Sequence, residues 1–136
     1  MLVCNLNIFA QKVDTLYYDN NWKGVETKQF ASFIRYVSYA QDGNYRNKFR
    51  TYFNTGELNS EGDFISIAKY DDSKSEFGAW KSYYKNGKLQ TDWDVVDGKV
   101  KCINYYENGN KKEEFELVNG TQNGIAISYF ENGLIH

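Results

Sequence analysis

With 136 residues the chain has room for one domain, and 18% aromatic residues, 12 of them Tyr, with 11 Gly and no Pro suit twisted antiparallel strands joined by glycine turns. A net charge of −2 and a pI near 5.4 exclude the clustered basic surface that nucleic acid demands, and leave contact with a membrane surface only weakly supported. No apolar run nears the roughly 18 residues of a membrane-spanning helix. Cys4 and Cys102, far apart and outside any CxxC spacing, imply neither a zinc site nor a disulfide framework.

Residues 1–11, "MLVCNLNIFAQ", are apolar and end in the small Ala10 before Gln11. They read either as the remnant of a signal peptide whose basic start is missing, or as an ordinary first strand. The first alternative puts the mature chain, from Gln11 or Lys12, in the periplasm or outside the cell; the second leaves it cytoplasmic. Residues 12–47 read as an irregular N-terminal cap. "TLYYDNNW" carries a double tyrosine with Asn21 where a turn glycine is expected, "VETKQFAS" fits a short helical turn, and "SFIRYVSYA" alternates as a strand. Asp42-Gly43 then turns the chain into "YRNKFRTYF".

From residue 48 to residue 136 one unit recurs: "YFNTG", "YYKNG", "YYENG" and "YFENG". The glycines Gly56, Gly87, Gly109 and Gly133 stand 31, 22 and 24 residues apart, which predicts hairpins of about 23 residues with one insertion loop at 66–78. The tip of that insertion, rich in charged and small residues, is expected to be the most mobile loop. Asn and Gly tolerate the positive φ that hairpin turns require, and Asp97-Gly98 and Asn119-Gly120 read as the connections between units. The fold class expected is all-β, repeated hairpins forming an elongated, twisted antiparallel sheet.

Alternation assigns the faces. Phe49, Thr51 and Phe53, with Trp80, Ser82 and Tyr84, Cys102, Asn104 and Tyr106, and Ala126, Ser128 and Phe130, fall on one face, continued after the turns by Leu58 and Phe64, Leu89, Trp93 and Val95, and Phe115 and Leu117. This is the expected core. Four residues before each turn glycine stands a tyrosine of the opposite face, Tyr52, Tyr83, Tyr105 and Tyr129. Stacked hairpins would line these up about 10 Å apart, two strand spacings. The same face carries Glu61, Asp63, Asp92, Asp94, Glu114 and Glu116 among Lys48, Arg50, Lys81 and Lys101, a pattern for cross-strand ion pairs. Period-two carboxylates on a flat sheet do not converge as a calcium site requires, so no metal is expected.

Over Lys48 to His136, through "YFNTGELNSEGDF", "YYKNGKLQTDWDVVDG", "YYENGNKKEEFELVNG" and "YFENGLIH", the chain resembles MORN-repeat proteins, and more closely the bacterial variant of YwqK-type proteins, often labelled antitoxins by homology. It departs from that pattern where "DGKVKCINYY" lacks a second connecting glycine and where Ala126 takes the place of a tryptophan. The segment "DTLYYDNNWKGVETKQFASFIRYV" is similar to the stretch that precedes such repeats in some secreted envelope proteins of Gram-negative bacteria. The resemblance implies an elongated β-sheet used for protein or membrane-surface contacts, without a catalytic centre.

Catalysis is not expected. The one histidine is His136, and Cys102 falls on the inward face among apolar neighbours, where a thiol is inert. The expectation is a non-catalytic interaction or scaffolding module of the bacterial cell envelope, without cofactor. It would bind a protein partner through Tyr52, Tyr83, Tyr105 and Tyr129, or through an open sheet edge at "YFENGLIH" that could accept a partner strand or a second copy. Two alternatives stay open: an antitoxin or immunity protein neutralising a cognate toxin, and a glycan-binding module using exposed rings such as Trp22 with the tyrosine row.

Overall fold

The computed structural model describes residues 12–40 and 47–136; the signal-like segment and the Asp42-Gly43 turn lie outside them. The described chain is all-β, ten antiparallel strands in a single open sheet of consecutive hairpins. In order they are β1 (Val13–Tyr18), β2 (Phe33–Ser38), β3 (Lys48–Phe53), β4 (Leu58–Ser66), β5 (Glu76–Tyr83), β6 (Leu89–Val96), β7 (Lys99–Tyr105), β8 (Lys111–Val118), β9 (Thr121–Gln122) and β10 (Ile127–Ser128). Spatial order follows chain order to β8, whose far side pairs with both β9 and β10. The helical turn expected in "VETKQFAS" is a 3-10 turn at Lys28–Phe30.

Two kinds of turn build the repeat. At Asp97-Gly98 and Asn119-Gly120 both residues have positive φ, +52° and +74° in each pair, the backbone of a tight two-residue hairpin. At "YKNG" and its equivalents the loop is one residue longer. The Gly87 amide donates to the Tyr84 carbonyl, Tyr84 N–H donates to the Lys88 carbonyl at 2.8 Å, and only the glycine is left-handed, φ +84°. The asparagine therefore does not supply the positive φ. Its side chain caps the turn instead: Asn86 Oδ1 accepts from Lys88 N–H, and Asn108 and Asn132 accept likewise from Asn110 and Leu134.

Just beyond each of the first three such turns the second strand carries one extra residue, Asn59, Gln90 or Lys112. A bulge of this kind locally upsets the alternation of side chains. Leu58 and Leu89 consequently stand opposite Tyr52 and Tyr83 rather than continuing the inner face. Asn59 and Gln90 turn inward beside Ser60 and Ser82, and Lys112 lies over the Tyr106 ring.

The inner face is built of rows. One runs Val37, Phe49, Gly62, Trp80, Trp93, Cys102, Phe115 across six pairings. The next runs Arg35, Thr51, Ser60, Ser82, Thr91, Asn104, Glu113, and is polar throughout. Hydrogen bonds of 2.8 Å link Arg35 Nε to Thr51 Oγ1, Thr91 Oγ1 to Asn104 Oδ1, and Asn104 Nδ2 to Glu113 Oε1.

Only the first half of this face is covered. Trp22 and residues 66–75 fold across β1 to β4, and the buried cluster Val37, Phe49 and Phe64 lies there, packed by Leu16, Tyr39, Ile67, Phe77 and Trp80. Residues 66–75 are thus the roof of the core, where a mobile tip was expected. Gly24 N–H donates to the Tyr70 carbonyl, Asp72 N–H to the Trp22 carbonyl, and the Tyr18 hydroxyl to the Ala68 carbonyl. A Cβ on Gly24 would sit 2.2 Å from the Lys69 carbonyl oxygen, so the close approach requires glycine. Over β6 to β10 nothing comparable lies on the inner face among the described residues, and the core expected at Ala126, Ser128 and Phe130 is exposed. Among the described residues of that half, Cys102 is the one buried side chain, 2% exposed.

Candidate functional site

The first aromatic of each unit belongs to the outer face, as expected, and all four tyrosines are half-buried. Their register follows from the ladder. Tyr52, Tyr83 and Tyr105 each pair with the second residue after their own turn glycine, and Tyr129 bridges to Ile135 in the same relation. The four side chains form one row, rung to rung about 10 Å.

Their surroundings differ. Tyr52 packs edge-on against Tyr36, ring centres 5.9 Å apart. The Tyr83 hydroxyl is pushed up in pKa first by burial and then by the neighbouring Glu61 carboxylate. The Tyr129 hydroxyl donates to Glu114, which raises the phenol and lowers the carboxyl; Lys111 holds the other Glu114 oxygen at 2.9 Å. Tyr105 corresponds to these with Asp92 in place of the glutamate, one methylene shorter and paired with Lys81 at 3.5 Å. Its hydroxyl finds no acceptor among the described residues.

Ion pairs frame the row. Lys48 pairs with Asp63, Arg50 with Glu61 at 4.0 Å, and Lys81 with Asp92. Lys101 stands across the strands from Asp94 and Glu116. A hollow of about 590 Å³ beside Tyr36, floored by Val13, Lys48, Arg50 and Glu61, lies along the neighbouring ion-pair rungs and is lined by none of the four tyrosines.

The second aromatic of each unit has a different task. Tyr84 donates its hydroxyl to the Tyr105 carbonyl at 2.7 Å, and Tyr106 to the Tyr129 carbonyl at 2.8 Å. Each inner tyrosine therefore fastens its hairpin to the backbone of the next, a task beyond the core packing expected of Tyr84 and Tyr106. The turns themselves touch: Asn108 and Asn110 both donate to the Glu131 carbonyl at 2.9 Å.

Among the described residues, both sheet edges are partly covered or interrupted. Along β1, Val25 N–H donates to the Tyr17 carbonyl and Gly24 bridges Tyr18. At the other edge β9 and β10 contribute two residues each, and after the Asn123 N–H has donated to the Glu116 carbonyl, residues 124–126 leave the ladder, with Ile125 82% exposed. Short, interrupted edges resist strand addition.

Sequence reasoning did not anticipate the most elaborate cluster. Arg35, 2% exposed, forms a two-pronged pair with Asp72 at 2.5 and 3.0 Å. The rings of Tyr18, Trp22, Phe49 and Phe77 lie within 5.1 to 5.5 Å of its guanidinium carbon. Burial there pushes the Tyr18 phenol up to about 12. Trp22 stacks on Phe33 at 4.0 Å, so it lies on the inner face, away from the tyrosine row with which it was expected to act. The available signal was Arg35 sharing a parity with Phe33 and Val37 in an alternating strand. Among the described residues no three His, Cys, Asp or Glu side chains gather as a metal-holding group, and burial raises the Cys102 thiol to about 11. Compared with protein families, with curated proteins and with solved structures, the chain matches none.

Proposed function

We propose that the chain is a non-catalytic, MORN-like interaction module of the bacterial cell envelope that binds a protein partner through its outer face. What carries this reading is Tyr105. Its ring is half-buried and its hydroxyl unused among the described residues, in the middle of a row whose end member, Tyr129, is tied to Glu114. A flat apolar ring with a polar tip, ordered before contact, loses little entropy on binding. The surrounding ion pairs give a polar rim. The blunted edges favour the face over strand addition, and the signal-like residues 1–11 support the envelope.

Tyr105→Ser and Tyr52→Ser test this, since neither hydroxyl holds another part of the chain. In a pull-down from envelope extract, proteins recovered by the wild-type chain should be lost with both variants and kept with the inner-face variant Glu113→Ala, thermal unfolding remaining near the wild-type value. Equal recovery by all of them would sink the proposal.

A further inference from the structure

A second site lies on the inner face, and it stands independently of the tyrosine row on the other side of the sheet. Where the roof of Trp22 and residues 66–75 ends, a cavity of about 260 Å³ opens, with Trp22 and Trp80 in its wall and Asn59, Ser82 and Gln90 in its floor. Its charge is balanced, because the Arg35 guanidinium at its back is spent on Asp72 through two hydrogen bonds. An anion would therefore have to displace a carboxylate.

Its hydrogen-bonding capacity is incomplete. Ser82 Oγ reaches Gln90 Oε1 only at 3.4 Å, Ser60 Oγ donates to Asn59 Oδ1 at 3.0 Å, and the amide N–H groups of Asn59 and Gln90 have no acceptor among the described residues. Both residues are bulge residues turned inward, so the same irregularity that interrupts each hairpin supplies these donors. Trp22 holds a left-handed backbone, φ +60°, a conformation that costs a bulky residue free energy and that clusters at functional sites. The volume lies below the roughly 300–1,000 Å³ of pockets that enclose drug-sized ligands, so it suits one ring.

We propose that this cavity binds a single pyranose ring of a neutral sugar. The apolar C–H face of the ring lies against indole, and its hydroxyl rim accepts from the Asn59 and Gln90 amides and bonds the Ser82 hydroxyl. The chain has three tryptophans; Trp22 and Trp80 line the cavity and Trp93 stacks on Trp80 at 6.1 Å, so intrinsic fluorescence reports occupancy. Titrating the full chain with glucose, galactose, mannose and N-acetylglucosamine should give a saturable change with at least one. Gln90→Leu should weaken that sugar about tenfold, the loss of one hydrogen bond, with an unchanged unfolding midpoint; Asn59→Ala serves as the second variant should Gln90→Leu misfold. No saturable change with any of the four overturns the proposal. So does wild-type affinity in both variants, and so does tighter binding of glucuronate or inorganic phosphate, which would make this an anion site centred on Arg35.

Discussion

Arg35 and Asp72, 37 residues apart, join β2 to the roof over its inner face through two hydrogen bonds of 2.5 and 3.0 Å. Arg35 also donates to Thr51, and Asp72 accepts from Ser75 at 2.8 Å, so the pair is satisfied as well as buried. Removing one partner leaves the other charge in a ring of aromatics, which typically costs about 3–5 kcal/mol, whereas replacing both by apolar groups of like volume is often neutral. Asp72→Ala should therefore lower the urea midpoint far more than Arg35→Met combined with Asp72→Leu. Equal losses in the two variants would show that the pair is not what anchors the roof.

The neighbouring Asp71 gives that roof a pH dependence. The hydrogen bond from Lys23, at 2.6 Å, holds its carboxyl down to about 2 from an ordinary 3.8. A lowered folded-state pKa means that the contact contributes fully above the unfolded value and is lost as pH falls through the folded one. Stability measured by denaturant titration should thus drop between about pH 4 and pH 2. Lys23→Met should flatten that limb, and added salt should weaken the contribution, since both side chains reach solvent. An unaltered acid limb in Lys23→Met would assign the drop to other carboxylates such as Glu114.

Hairpins, turns and the two faces of the repeats were legible because a period of two and a glycine at a fixed offset are local signals. The bulges were legible only in hindsight. The polar residue three places after each turn glycine, Asn59, Gln90 or Lys112, repeats as faithfully as the tyrosines, but alternation carried straight through it and put Leu58 and Leu89 on the wrong face. The roof was not legible at all. Nothing local in "AKYDDSKS" distinguishes a mobile loop from one whose Asp72 meets an arginine 37 residues earlier, because the decision is made by a tertiary contact. The tyrosines fall on the outer face expected of them, while the inner cavity went unseen because one wall, Trp22, belongs to the cap and two floor residues, Asn59 and Gln90, are the bulges.

Gly62 shows how tightly the repeats are threaded where the inner row crosses β4. A Cβ there would stand 2.4 Å from the Ala79 carbonyl oxygen and 2.6 Å from Trp80 Cα. These are backbone atoms of the paired strand, and they cannot swing aside. Gly62→Ala should cost about 1–3 kcal/mol, as overpacking does. Gly56→Ala, in open space but at φ +108°, should suffer only from its backbone conformation, about 1 kcal/mol. If thermal unfolding ranks the two in the opposite order, the β4–β5 pairing is looser than its register implies.

The tyrosine-to-carbonyl fasteners predict a gain as well as losses. Tyr84→Phe and Tyr106→Phe should each destabilise by about 1 kcal/mol, the net value of a hydrogen bond whose acceptor is left partly buried. The equivalent residue of the first unit is Phe53, which has no hydroxyl and lies under the Lys85 ammonium. Since Tyr52 and Tyr83 share the register of Tyr83 and Tyr105, Phe53→Tyr should place a hydroxyl at the Tyr83 carbonyl and raise stability by up to about 1 kcal/mol. Denaturant titration of the three variants measures both signs, and a destabilised Phe53→Tyr would mean that the insertion breaks the equivalence between the first two units.

Cys102 offers a probe of the uncovered half of the sheet. Its thiol is 2% exposed, and burial, helped by the charges of Glu113 and Asp92, holds its pKa near 11. The thiolate is the reactive form, so at neutral pH alkylation requires β7 to open. Iodoacetamide labelling, followed by mass spectrometry of the peptide containing Cys102, should be slow in the native chain and fast in urea. Because nothing among the described residues roofs β6 to β10, labelling should begin at a urea concentration below the midpoint seen by the fluorescence of Trp22 and Trp80 in a Trp93→Phe chain, since Trp93 pairs with Cys102 itself. Coincident transitions would mean instead that the turn contacts and the tyrosine fasteners make the whole sheet one cooperative unit.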